Sequence, residues 1–154
     1  MNYLQHLLYF CVLGVVAFLF HFVWESSHVT ALYGGYENLG GGVPITLWAA
    51  FGDVLYTFLA VGIVSLCARG ISWVRNISLA SFLGLALMGL LISLCVEYRA
   101  LALHRWFYLP AMPIIPYFKV GLSPVLQMIL LLPLSILIAN HVYKVICRKQ
   151  EVGL

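Results

Sequence analysis

The fold class this sequence predicts is all-α: one polytopic membrane domain over residues 1–154, an up-down bundle of four transmembrane helices. Two observations carry the prediction. Of 154 residues, 64% are hydrophobic and only 8% charged, whereas a soluble domain carries roughly 25% charged residues. Four apolar segments, 3–24, 45–68, 77–96 and 124–143, each reach the roughly 20 residues that a helix needs to cross the hydrocarbon core. No soluble core of this length hides so much apolar surface, so lipid is the solvent.

The first segment has no Lys or Arg ahead of it, lacks a small-x-small cleavage site, and outruns a signal peptide's apolar region of about 7–15 residues. It is expected to be a retained helix. Loop one holds Gly34, Gly35, Gly40, Gly41 and Gly42, then Pro44, whose fixed φ suits a helix start. Loop two is short and carries Arg69, Gly70 and Arg75. Loop three is long and aromatic, with Pro110, Pro113 and Pro116. Pro133 is expected to kink the fourth helix and free the carbonyl of Ile129.

Cys11, Cys67, Cys95 and Cys147 form no C-x-x-C pair, and three lie within apolar runs, where a thiol behaves as a small hydrophobe. Disulfides, cysteine metal sites and cofactors are not expected. The formal charge of +3 is spread out, with no basic stripe, which excludes a nucleic-acid partner. Lys and Arg set orientation. Loop one has neither, loop two has Arg69 and Arg75, and the C-terminal end has Lys144, Arg148 and Lys149. Loop two and both termini are therefore expected in the cytoplasm, with the chain in a bacterial inner membrane. Loop three departs from the pattern, since Arg99, Arg105 and Lys119 fall outside. Trp24, Tyr33, Tyr36, Trp48, Tyr98, Trp106, Tyr108 and Tyr117 gather at the outer ends, and Trp73 and Tyr143 at the inner, as a belt of amphipathic rings at headgroup level.

Ionisable side chains at membrane depth are costly and usually face the bundle interior. The helical period places Ala49, Gly52, Asp53, Tyr56, Thr57 and Ala60 on one small, polar stripe of the second helix, opposite Phe51, Leu55, Phe58 and Leu59. The small stripe permits close packing and the bulky side suits lipid. Asp53 thus points inward, about 7 Å deeper than Trp48 at about 1.5 Å per residue. Gly14, Ala17, His21, Glu25 and His28 share a face of the first helix if it continues past Ser26. Ala86, Gly89, Ser93 and Glu97 share a face of the third, and Gln127 with Ser135 marks the fourth. With alternating directions, His21, Glu25, His28, Asp53, Glu97 and Gln127 converge on the outer half.

Two imidazoles seven residues apart on one helix are about 10 Å apart, too far for a single ion, so no metal is expected. Acid/base work fits better. Crowded carboxylates divide into donor and acceptor roles, and His21 suits proton transfer near neutral pH. The expected catalytic groups are Glu25, Asp53, Glu97 and His21, with His28, Trp48, Tyr56, Arg105, Trp106 and Gln127 binding the ligand.

Trp24-Glu25-Ser-Ser-His28 with Tyr33-Gly-Gly-Tyr36, Trp48 with Gly52-Asp53, and Glu97 followed by Arg105-Trp106-Phe-Tyr108, Met112-Pro113 and Gly121-Leu-Ser-Pro124 resemble a family of small uncharacterised bacterial multi-pass integral membrane proteins. That resemblance implies no activity. His21-x-x-x-Glu25 followed by Trp48 and Gly52-Asp53-x-x-Tyr56 is similar to the emopamil-binding (EXPERA) family of small sterol-binding bundles, some of which isomerise double bonds with acidic residues. This second resemblance covers two helices, and it implies that His21, Glu25 and Asp53 line a ligand cavity. The chain departs from it in having no Arg soon after Asp53 and no Glu further down the second helix.

The expected function is an outer-half polar site that binds a membrane lipid, lipid or isoprenoid-like, and works on it by acid/base chemistry. The alternative is a non-catalytic assembly or scaffold subunit, a homo-oligomer or the partner of another membrane protein. A binder needs a cavity of roughly 300–1,000 Å³ at these residues. A scaffold needs them paired with no space between.

Overall fold

A computed structural model describes residues 3–37 and 41–152, with side chains described as far as Arg148. Gly40 of loop one and the side chain of Lys149 lie outside the described residues. The elements are α1 (Tyr3–Leu32), β1 (Tyr33–Gly34), α2 (Ile45–Cys67), a 3-10 turn (Ser72–Arg75), α3 (Leu79–Ala102), β2 (Phe107–Tyr108), β3 (Ile114–Ile115), β4 (Val120–Gly121) and α4 (Leu122–Val152). All four helices are long and apolar enough to cross a bilayer, and the chain is an all-α integral membrane protein.

Three of the four helices outrun the apolar segments that announce them, and α2 matches its segment to within one residue. α1 continues to Leu32 rather than stopping near Trp24. Its polar extension satisfies itself: Ser27 Oγ donates to the carbonyl of Val23 (2.7 Å) and His28 Nδ1 to that of Trp24 (2.8 Å), the i to i−4 bonding open to short polar side chains inside helices. α3 starts later than expected because Ser78 caps it, its hydroxyl accepting from the amide of Ser81 (3.1 Å). α4 begins at Leu122, which puts Pro124 in the first turn, where a missing N–H has no intrahelical partner to lose. α4 runs through Pro133 as one helix.

α1 packs between α2 and α4, and α3 packs along α4, leaving α2 against α3 as the loosest edge of the bundle. Small residues set the close approaches. A methyl group on Gly89 of α3 would sit 2.5 Å from the carbonyl oxygen of Met128 on α4, so these two backbones touch. Lipid offers helices no hydrophobic drive to associate, and such contacts replace it. Phe51, Leu55 and Leu59 face outward as the helical period requires. Phe58 does not: its ring lies over Gly14 of α1 and against Phe10, filling the notch that the glycine leaves.

The apolar core occupies the half of the bundle that carries both termini, around Tyr9, Leu13, Val61, Leu85, Leu132 and Ile136. Tyr143 belongs to this core, edge-on to Tyr9, and is not a belt residue. Trp73 donates to Ser65 of α2 (2.9 Å) and Asn140 of α4 to the carbonyl of Val74, which fastens loop two to both helices. At the other end, β1 pairs with β2 and β3 with β4, both antiparallel. The β1–β2 pair ties the end of α1 to loop three. Gly34 lets the ring of Phe107 lie over the backbone there, since a methyl group would meet that ring at 2.6 Å.

Candidate functional site

The half of the bundle bearing loops one and three is hollow. A cavity of about 790 Å³ opens among all four helices, lined by Glu25, Asp53, Glu97 and Gln127 among others. It exists because the inward face of α2 is small there: a methyl group on Gly52 would meet nothing within 4 Å.

Gln127 organises the floor. It is 4% exposed, and its Nε2 donates to Glu25 Oε1 (2.9 Å) and to Asp53 Oδ2 (2.8 Å). One amide therefore joins carboxylates from α1 and α2. His21, fully buried behind them, places Nδ1 at 3.3 Å from Asp53 Oδ2 and 3.1 Å from Gln127 Nε2. The amide has two hydrogens, and the carboxylates take both. The Thr57 hydroxyl spends its hydrogen on the carbonyl of Asp53 (2.9 Å) while facing His21 Nε2 at 3.5 Å. Nδ1 of His21 therefore faces Asp53 Oδ2 as a donor.

Glu97 is held differently. Tyr108 Oη and Trp106 Nε1 (3.3 Å) donate to its Oε2, and the hydroxyl of Tyr33 reaches the same carboxylate. Tyr33 packs on both Trp106 and Tyr108. Burial pushes the phenols of Tyr33 and Tyr108 up from the ordinary tyrosine value, so both remain protonated donors near neutral pH. The β1–β2 pairing that sets Tyr33 opposite Tyr108 builds this shell.

Eight of the ten side chains singled out in the sequence line the cavity: Glu25, Trp48, Asp53, Tyr56, Glu97, Arg105, Trp106 and Gln127. His21 sits one layer behind and contacts the cavity through Asp53 and Gln127. His28 does not line it. Its ring stacks on Trp24 (centroids 4.8 Å), and Trp24 in turn donates to Ser123 of α4 (3.2 Å). Glu25 and Glu97 form no ion pair with Arg99 or Arg105 among the described residues. Nor does any group of three His, Cys, Asp or Glu stand in metal-binding array among the described residues.

In sequence, Tyr33, Tyr36 and Tyr108 read as rings of the interfacial belt, yet Tyr33 and Tyr36 line the cavity and Tyr108 holds Glu97. The spacing of Trp106 and Tyr108 held the signal. In an extended segment, residues two apart share a side, so one acceptor can take both. Compared with protein-family models, curated proteins and solved structures, the chain matches none.

Proposed function

We propose that this protein is an intramembrane lipid site that binds a lipid or isoprenoid-like ligand and performs acid/base chemistry on it. The observation that carries the reading is a hollow of about 790 Å³ at the polar residues, within the 300–1,000 Å³ typical of ligand pockets. A scaffold subunit would close its carboxylates on partners and leave no space. Here two carboxylates face one amide across an open cavity. A ligand group set between Glu25 and Asp53 meets two carboxyl groups, one to give a proton and the other to take it. His21, donating to Asp53, returns the proton from behind. Glu97, fixed by Tyr108 and Trp106, anchors a polar end, and Gln127 keeps the reacting pair in register. In this reading the chain lies in a bacterial inner membrane with both termini cytoplasmic, so the cavity faces the outer leaflet.

Asp53→Asn tests the reading. It preserves shape and removes the ionisable group. The expected variant is as stable as the parent in detergent and fails to restore the lipid profile of a deletion strain. A stable Asp53→Asn protein that restores the deletion fully would remove Asp53 from the chemistry.

A further inference from the structure

The α2–α3 edge holds more than a loose contact. A second hollow of about 370 Å³ lies along it, lined by Leu59 of α2 and by Leu91, Cys95 and Arg99 of α3. Leu59 and Leu91 are about half exposed, at 51% and 47%, so this hollow opens toward lipid. The two cavities share Tyr56, Ile92, Val96, Arg105 and Trp106. These five side chains form a common wall at the one edge where the helices pack least.

Charge is segregated across that wall. The inner cavity carries Glu25, Asp53 and Glu97, the outer hollow carries Arg99, and Arg105 borders both. The bond from Gln127 occupies one oxygen of Glu25 and one of Asp53. No hydrogen bond among the described residues engages Glu25 Oε2 or Asp53 Oδ1, so each carboxylate presents an oxygen to a ligand. The ligand that matches this order, from lipid inward, has an apolar chain, then an anion, then a cation.

We propose that the α2–α3 seam holds a phospholipid whose headgroup ends in a protonated primary amine. This deepens the reading of the cavity as a lipid site and rests on it. An acyl chain lies along the outer hollow, the phosphate sits on Arg99 and Arg105, and the ammonium reaches the carboxylates through the wall. A guanidinium fork suits phosphate oxygens. An ammonium brings three donors to the open oxygens of Glu25 and Asp53, and the rings of Tyr36 and Trp106, which line the cavity, favour a cation. A glycerol headgroup offers only neutral O–H donors and a trimethylated amine offers no N–H, so neither brings the charge-assisted hydrogen bonds that the open oxygens of Glu25 and Asp53 accept. Discrimination of this kind comes from the penalty on the wrong ligand.

The test is competition on the intact protein. The chain is delipidated in detergent and offered equal amounts of phosphatidylethanolamine, phosphatidylglycerol and phosphatidylcholine, and retained lipid is counted by native mass spectrometry. The ethanolamine lipid is expected to exceed each of the others by about tenfold, the effect of one charge-assisted hydrogen bond. Arg99→Gln with Arg105→Gln, both at exposed positions, should lower all three lipids alike. Glu25→Gln with Asp53→Asn should bring the ethanolamine lipid down to the level of the glycerol lipid. Equal retention of the three lipids by the parent protein overturns the inference, as does a preference that survives loss of both carboxylates. Carboxylate-dependent binding of an isoprenoid alcohol, with no phospholipid retained, overturns this inference and leaves the cavity reading standing. Retention of no lipid at all overturns both.

Discussion

Replacing Gln127 by Leu shortens the side chain by one bond and removes the amide that joins α1 to α2. Two hydrogen bonds to carboxylates are lost, at 2.9 and 2.8 Å. Bonds to charged groups contribute about 1.5–3 kcal/mol each, which brackets the loss at about 3–6 kcal/mol. The cavity admits polar molecules that replace part of it, so the expected cost is about 3 kcal/mol, at the low end. The assay is reversible unfolding in mixed micelles, followed by tryptophan fluorescence. A double-mutant cycle sharpens it. Once Gln127 is gone, Glu25 and Asp53 face each other unscreened, so Glu25→Gln added to Gln127→Leu should recover at least about 1 kcal/mol, a coupling within the range for residues in one network. A cost below about 1 kcal/mol, or strict additivity of the two changes, refutes the argument that Gln127 holds the pair together.

Four other outcomes follow from single contacts. Gly89→Ala drives a methyl group into the backbone of Met128 and should destabilise the bundle by about 1–3 kcal/mol, read by the same unfolding assay. The hydroxyl of Tyr9 is buried with no hydrogen-bond partner among the described residues, so Tyr9→Phe should raise stability by about 1 kcal/mol or more; a loss instead would mean that the hydroxyl is satisfied. Burial raises the Tyr33 and Tyr108 phenols, which makes the fold favour their protonated forms. Stability should therefore hold below the unfolded value of about 10 and fall as pH rises through the folded values; Tyr108→Phe should reduce that alkaline loss, seen in the unfolding midpoint against pH. A phosphatase fusion active only outside the cytoplasm should be silent after Leu154 and active in loop one, and the reverse pattern overturns the orientation.

Much of this architecture is legible in the sequence because lipid enforces it. A bilayer of fixed thickness demands four long apolar runs, and the cost of a buried charge puts Asp53, Glu97 and Gln127 on inward faces, where they lie. Periodicity picks out the small stripe of α2 but predicts close packing along it, whereas Gly52 faces the hollow and meets nothing within 4 Å. What escaped has two physical origins. Helix length is set by hydrogen bonding and not by hydropathy, so the polar turn around Ser27 and His28 extended α1 unseen. Long-range pairing is the other. Nothing local announces that Tyr33 opposes Tyr108, so tyrosines that hold or line a buried site resemble ordinary interfacial rings. His28 failed for a related reason: it shares the helical face of His21 and Glu25, but its ring is captured by Trp24 one turn back.

If the hollow beside Glu25, Asp53, Glu97 and Gln127 is a lipid's seat, filling it must expel the lipid. Gly52→Phe puts that to the most direct measurement. Gly52 lines the cavity and faces open space, so a ring there fills the hollow without striking the fold, and replacing a helical glycine favours the helix by up to about 1 kcal/mol. Lipid retained by parent and variant is compared by native mass spectrometry beside their unfolding midpoints. The account predicts a Gly52→Phe protein at least as stable as the parent and stripped of the lipid that the parent carries. A stable variant that retains the same lipid in the same amount contradicts it.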